Sequence, residues 1–285
     1  MSTSTLSPSV VTDIIATSMD GSTQRSPLAV TQPRVLSSEW LKFRSVRSNM
    51  IGIGAAVLVA VALGALFSSL AGGDAAGGPG SRGGSDPLSL SFGGFGIAQM
   101  IVGVFAVLFV AGEYSSGLIR TTFTAVGNRL SVLWAKATVF GVATLVAMSV
   151  AVVAAFLVGQ AVYAGDMATL SLGDDGVLRA VLGQAFYLAG IAVMGVALGF
   201  ILRGTAAAIA VLFTSLLLLP VIVGLLPDSI NDTLGKVLPS NAGSAFTSIT
   251  SDSNLLSAGA GAAVFAAWVV GLVALAAILL TRRDA

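Results

Sequence analysis

The sequence predicts an all-α integral membrane protein with six transmembrane helices and both termini cytoplasmic, and three observations carry that prediction. Hydrophobic residues make up 55% of the 285 residues against 9% charged, and the mean hydropathy is +0.96. A soluble domain carries about 25% charge because its surface faces water. Six apolar stretches run for roughly twenty residues or a little more, the length at which a helix rising ~1.5 Å per residue crosses a hydrocarbon core of ~30 Å. Of the 14 basic residues, all but Arg82, Arg179 and Lys236 fall on one side if both termini are cytoplasmic, and an excess of Lys and Arg on the cytoplasmic side is what orients membrane proteins.

Residues 1–33 are rich in Ser and Thr, have no apolar period and lack the charged-then-apolar layout of a secretory signal, so they read as a disordered cytosolic tail. Residues 34–50 read as an amphipathic helix lying in the inner interface. Leu36, Trp40, Phe43 and Met50 share one face, and Ser37, Arg44, Ser45 and Ser48 fall opposite. Glu39, Lys42 and Arg47 complete its polar complement, although Glu39 and Arg47 interrupt the apolar face.

Residues 51–285 form the six-helix domain, with spans expected at about 51–71, 92–112, 137–162, 180–202, 205–226 and 258–280. The first two are separated by a Gly-, Ser- and Asp-rich loop that cannot bury a core. The third and fourth are separated by a loop holding Asp166, Asp174 and Asp175, where the Gly-Asp-Asp-Gly run reads as a solvated turn. A short turn carrying Arg203 joins the fourth and fifth, and a polar stretch over 227–256 precedes the last span.

Composition removes much chemistry. With no Cys and no His, the chain lacks a thiolate nucleophile, an imidazole base and the two strongest zinc ligands. It has no GxxxxGK[ST] loop to cradle nucleotide phosphates, since its Gly235-Lys236 pair is followed by Val237. No basic stripe suits nucleic acid. No Asp, Glu, Lys or Arg lies in the middle of any expected span, which disfavours proton-coupled transport. The span residues able to line a passage are mildly polar, among them Gln99, Gln184, Tyr187, Thr214 and Ser215, and each equally suits a helix-to-helix hydrogen bond. Pro220 marks a kink in the fifth span. Gly195 and Gly199, four apart on one face, suit close approach of a neighbouring helix, either within the chain or across a subunit interface.

The most informative segment covers residues 113–136. Ile119, Phe123, Val126, Leu130 and Leu133 recur at steps of four and three, giving an apolar stripe along one helix or along two short helices broken at Gly127 and Asn128. Such a stripe suits a helix floating among headgroups, held by Arg129, Trp134 and Lys136, or one docking into a partner's groove.

The run Glu113-Tyr114-x-x-Gly117-x-Ile119-Arg120, the later Arg129 and Ala135-Lys136, and the earlier Ser38-Glu39-Trp40-x-Lys42-x-Arg44-Ser45-x-Arg47-Ser48 resemble bacterial ABC transporter permeases of the type-2 export class. The resemblance implies a bacterial inner-membrane subunit without catalysis of its own. It implies a channel-like core formed with a second permease chain, identical or not, and two cytosolic ABC ATPase subunits that bind ATP and Mg. It places an ATPase-coupling helix between spans two and three, with that role falling on Gly117, Leu118, Ile119, Arg120, Thr121 and Phe123. Glu113 would anchor the start of that helix by pairing with a base of the Lys42 to Arg47 cluster. The cargo expected is hydrophobic or amphipathic: a drug, antibiotic, peptide or lipid. A membrane scaffold or sensor, and a passive carrier working without an ATPase, are the competing readings of the same six spans.

Overall fold

The computed structural model describes residues 31–70, 87–163, 169–227, 231–249 and 255–282, except the side chain of Asp232. Residues 1–30 of the expected tail lie outside the described residues. So do Arg82 and most of the first loop, Asp166, Asp228, Asp252 and Arg283. Among the described residues every regular element is helical, and six helices are long and apolar enough to cross a membrane.

Helix α1, Gln32–Ser45, already includes Gln32 and Pro33, which the sequence assigned to the tail. Pro suits a first turn because it lacks only an N–H that would be unpaired there. The chain breaks at Val46, which is extended (φ −83°, ψ 101°), and α2, Arg47–Ser69, is the first span. Arg47 and Met50 therefore belong to the first turn of the first span rather than to α1. The break leaves a carbonyl free on Phe43, and the buried Asn49 amide donates to it at 3.4 Å.

The short α3, Pro87–Ser91, leads into α4, Phe95–Ser115, the second span. Next come α5, Leu118–Val126, and the long α6, Arg129–Ala161. The break between α5 and α6 is at Gly127 and Asn128, and the Asn128 side chain caps α6 by accepting from the Leu130 N–H at 3.0 Å. The 33 residues of α6 span ~50 Å, well beyond a ~30 Å hydrocarbon core. Its start at Arg129 rather than at 137 puts two extra turns below the third span as the sequence placed it. Asp174 and Asp175 lie in an exposed turn, where the Asp174 carboxylate accepts from the Ser171 N–H and hydroxyl at 2.7 and 3.0 Å. These bonds hold the Asp174 carboxyl below the usual range.

The fourth span is α7, Val177–Leu202, and the fifth is α8, Thr205–Gly224. Within α8, Thr214–Leu218 forms one π turn. Pro220 lies just beyond, and its missing N–H together with its ring crowding the carbonyl four residues back accounts for the local widening. Helix α9, Pro239–Thr247, packs on α7 and on α10, Ala258–Arg282, the last span.

The centre of the bundle is α7, buried over most of its length against α4 and α6. Gly195 and Gly199 make that possible. A methyl group at Gly195 would sit 2.8 Å from the Gly103 carbonyl oxygen, and one at Gly199 would sit 2.9 Å from the Val110 Cβ. This glycine pair is therefore an internal α4–α7 contact.

Candidate functional site

One end of the bundle gathers α1, the last turn of α4, α5, the first turns of α6 and the end of α10, and the residues that hold it together are charged. Val35, Glu39 and Phe43, four apart along α1, are buried against the bundle. Glu39 is only 1% exposed and Lys136 of α6 is fully buried. The Lys136 ammonium donates to Glu39 Oε2 at 2.7 Å and to Glu113 Oε1 at 2.8 Å, and lies 4.4 Å from the centre of the Phe109 ring. Its three protons are thereby directed at two carboxylates and an aromatic face, which a buried ammonium requires to offset its lost hydration. Glu113 Oε2 is left buried with no hydrogen-bond partner among the described residues.

Lys42 extends the cluster outward. Its ammonium donates to Glu39 Oε1 at 2.9 Å and to the Thr122 hydroxyl of α5 at 3.2 Å, and stands 3.6 Å from Glu113. Partial burial pulls the Lys42 pKa down, but the Glu39 and Glu113 carboxylates outweigh it and leave the group above its ordinary value, so it stays charged throughout the physiological range. Two lysines and two glutamates thus tie α1, α4, α5 and α6 together. Phe43, Phe109 and Phe140 pack edge-on or tilted beside them, with centroids 5.4 to 5.9 Å apart.

The anchor expected for Glu113 is present but its main partner is different. Lys42 reaches it at 3.6 Å, whereas Lys136, read from sequence as a headgroup anchor, reaches it at 2.8 Å and is the hub of the cluster. The signal available in sequence was Glu39, a carboxylate on an otherwise apolar helical face. Trp40, expected on that face, is 46% exposed and stacks on Phe43 from outside, and Arg44 and Arg47 are also exposed.

Helix α5 is bounded by two glycines at positive φ, a backbone conformation that glycine adopts without strain, Gly117 (φ 74°) before it and Gly127 (φ 72°) after it. No atom crowds either position, so conformation rather than space selects glycine there. The apolar stripe of α5 turns inward. Ile119 and Phe123 are 3% and 7% exposed and join the core, and the Arg129 guanidinium stands 5.8 Å from the Phe123 ring. The outward edge carries Leu118, Arg120, Thr121, Thr124 and Ala125. Ile119 and Phe123 are thus packed within the chain rather than presented on its surface.

The same end holds the tail of α10, where Arg129 donates to the Leu280 carbonyl at 3.4 Å, a cation placed at a helix C-terminus. Arg203 stands 5.6 Å from the centre of the Tyr114 ring, so the α7–α8 turn is here too. The mildly polar span residues lie elsewhere and, apart from Tyr187 and Gln99, do not converge. The Tyr187 hydroxyl donates to Gln99 Oε1 at 2.7 Å. Ser215 bonds back to the Leu212 carbonyl, and Thr214 is exposed at the π turn. Gln184 is buried and lines a separate cleft beside α9.

A family model described as ABC-2 family transporter protein matches residues 35–226, which takes in α1 to α8 and therefore the whole ion cluster. No curated protein matches the chain.

Proposed function

Because the chain belongs to the ABC-2 family of transporter proteins, and so is a membrane permease subunit of an ABC transporter, we propose that it forms the substrate pathway of an ATP-driven exporter. Two permease chains build that pathway, and two separate cytosolic ABC ATPases, which carry the ATP and Mg, drive it. The observation that carries the reading is the ion cluster behind α5: Lys42 bonds to Thr122 of α5, and through Glu39, Glu113 and Lys136 it is fixed to the ends of two spans. A push on the outward edge of α5 would reach α4 and α6 through charged contacts in a poorly hydrated site, where little motion is lost to slack.

The end that holds α1, α5 and the tail of α10 is then the cytoplasmic one. The distribution of charge supports this, since Arg34, Lys42, Arg44, Arg47, Arg120, Arg129, Lys136, Arg203 and Arg282 sit there while Arg179 and Lys236 belong to segments at the opposite end. Leu118, Arg120 and Thr121 make the docking edge. Ile119 and Phe123 hold α5 to the bundle, and Gly117 sets its angle. The cargo is hydrophobic or amphipathic, in keeping with a bundle whose span residues offer hydroxyls and amides but no charge at mid-depth.

The test is recovery of the partner. Extracted from its own membrane in mild detergent and captured by a C-terminal tag, the chain is expected to bring a P-loop ATPase with it. Capture of the folded chain alone in several detergents would remove the energy source and favour the scaffold or passive-carrier readings.

A further inference from the structure

At the end of the bundle away from the ion cluster, α3, α7 and α9 enclose a cleft of about 200 Å³. It exists because α9 lies directly on α7: Gly243 rests against the Tyr187 ring, and Gly183 faces the Phe246 carbonyl, where a methyl group would stand 2.9 Å away. Gln184, one turn from Tyr187, opens into this cleft. The residue is only 7% exposed, and no described residue hydrogen-bonds its side chain. The amide therefore faces the cleft, where an occupant can bond to it.

The other walls define what that is. Ser244 and Thr247 of α9 already donate their hydroxyl protons to the Ser240 and Ser244 carbonyls, so each offers a lone pair, and Ser89 and Ser248 add two more hydroxyls to the lining. Leu88 and Phe92 form an apolar wall opposite. Among the described residues no charged side chain lines the cleft. Arg179 is turned to the Ser248 carbonyl at 2.9 Å. A fitting occupant therefore has several hydroxyl protons to give, an acceptor for the Gln184 amide, a flat C–H face for Phe92 and no charge. The volume corresponds to roughly six waters at ~30 Å³ each, room for one sugar-sized ring.

We propose that this cleft is a binding subsite for a neutral, hydroxyl-rich head group on an apolar tail, with Gln184 as its anchor. Resting on the exporter reading, that head group belongs to the cargo at the outer mouth of the pathway. The roof of the cleft, α9, lies beyond the stretch that the family model matches.

The chain has no cysteine, so Ser244→Cys places a single thiol at the cleft, and Thr247→Cys a second independent one. In nanodiscs without any ATPase, n-octyl-β-D-glucoside below its micelle concentration is expected to slow maleimide labelling of either thiol at least fivefold. Sodium octyl sulfate and octyltrimethylammonium should leave the rate unchanged, and Gln184→Leu should abolish the protection. Equal protection by all three amphiphiles, no protection at either thiol, or full protection in Gln184→Leu would overturn the subsite. These outcomes need no ATPase and so are independent of the exporter reading. Once an ATPase has been recovered, the glucoside should raise its hydrolysis rate in proteoliposomes with the native chain and not with Gln184→Leu. Protection without that stimulation would assign the head group to a membrane glycolipid and overturn its assignment to cargo.

Discussion

Replacing Lys136 with methionine is expected to cost about 3–5 kcal/mol, the scale for breaking a buried ion pair by removing one partner, and so to consume much of a typical stability of ~5–15 kcal/mol. Methionine fills the volume of the lysine stem, so the loss arises from charge. Glu39, 1% exposed, and Glu113 would be left facing each other with only the half-exposed Lys42 between them. The readout is the melting temperature of the purified chain together with its yield from membranes. Replacing the three buried charges at once, Lys136→Met with Glu39→Leu and Glu113→Leu, is expected to recover most of that temperature, because a buried ionic set exchanged whole for apolar groups is often neutral. A single Lys136→Met variant as stable as the native chain would show that the cluster is solvated and not a structural hub.

The second large effect is a split within one helix. Phe123→Asp, at a side chain 7% exposed in the core, is expected to destabilise the bundle by about 3–5 kcal/mol through lost packing, with the burial of a carboxylate added. Leu118→Asp and Arg120→Glu, on the exposed edge of the same α5, are expected to leave melting within a few tenths of a kcal/mol of native while abolishing recovery of the ATPase. Melting and capture measured on the three variants separate the roles. If Leu118→Asp and Arg120→Glu retain the ATPase, the docking edge is elsewhere.

The sequence made some of this legible and hid the rest for identifiable reasons. The six spans followed from hydropathy because lipid imposes it on every exposed turn, and the α5–α6 break followed from Gly127 and Asn128, whose backbone and capping chemistry act locally. The extra turns of α6 were not legible. Hydropathy treats Lys136 as a reason to end a span, whereas its partners arrive from 97 and 23 residues away and make its burial tolerable. The facing of the α5 stripe was hidden for a related cause. A period of three and four residues shows that one face is apolar but not whether the surface it meets belongs to the same chain. Ile119 and Phe123 meet α4 and α6, and only the fold could say so. Gln184 was legible as a polar span residue. That it faces a cleft under α9 was not, because that depends on where α9 lands.

Transfer of ATPase motion to the bundle through the outward edge of α5 can be read by cross-linking in native membranes. Single cysteines placed in turn at Leu118, Thr121, Ala125, Ile119 and Phe123 of this cysteine-free chain would be treated with a short bifunctional maleimide. Adducts with a P-loop ATPase, identified by mass, are expected from Leu118, Thr121 and Ala125, weakened or strengthened by nucleotide, and none from Ile119 or Phe123. Adducts from the two inward positions, or none from any position while the ATPase is present and folded, would contradict it.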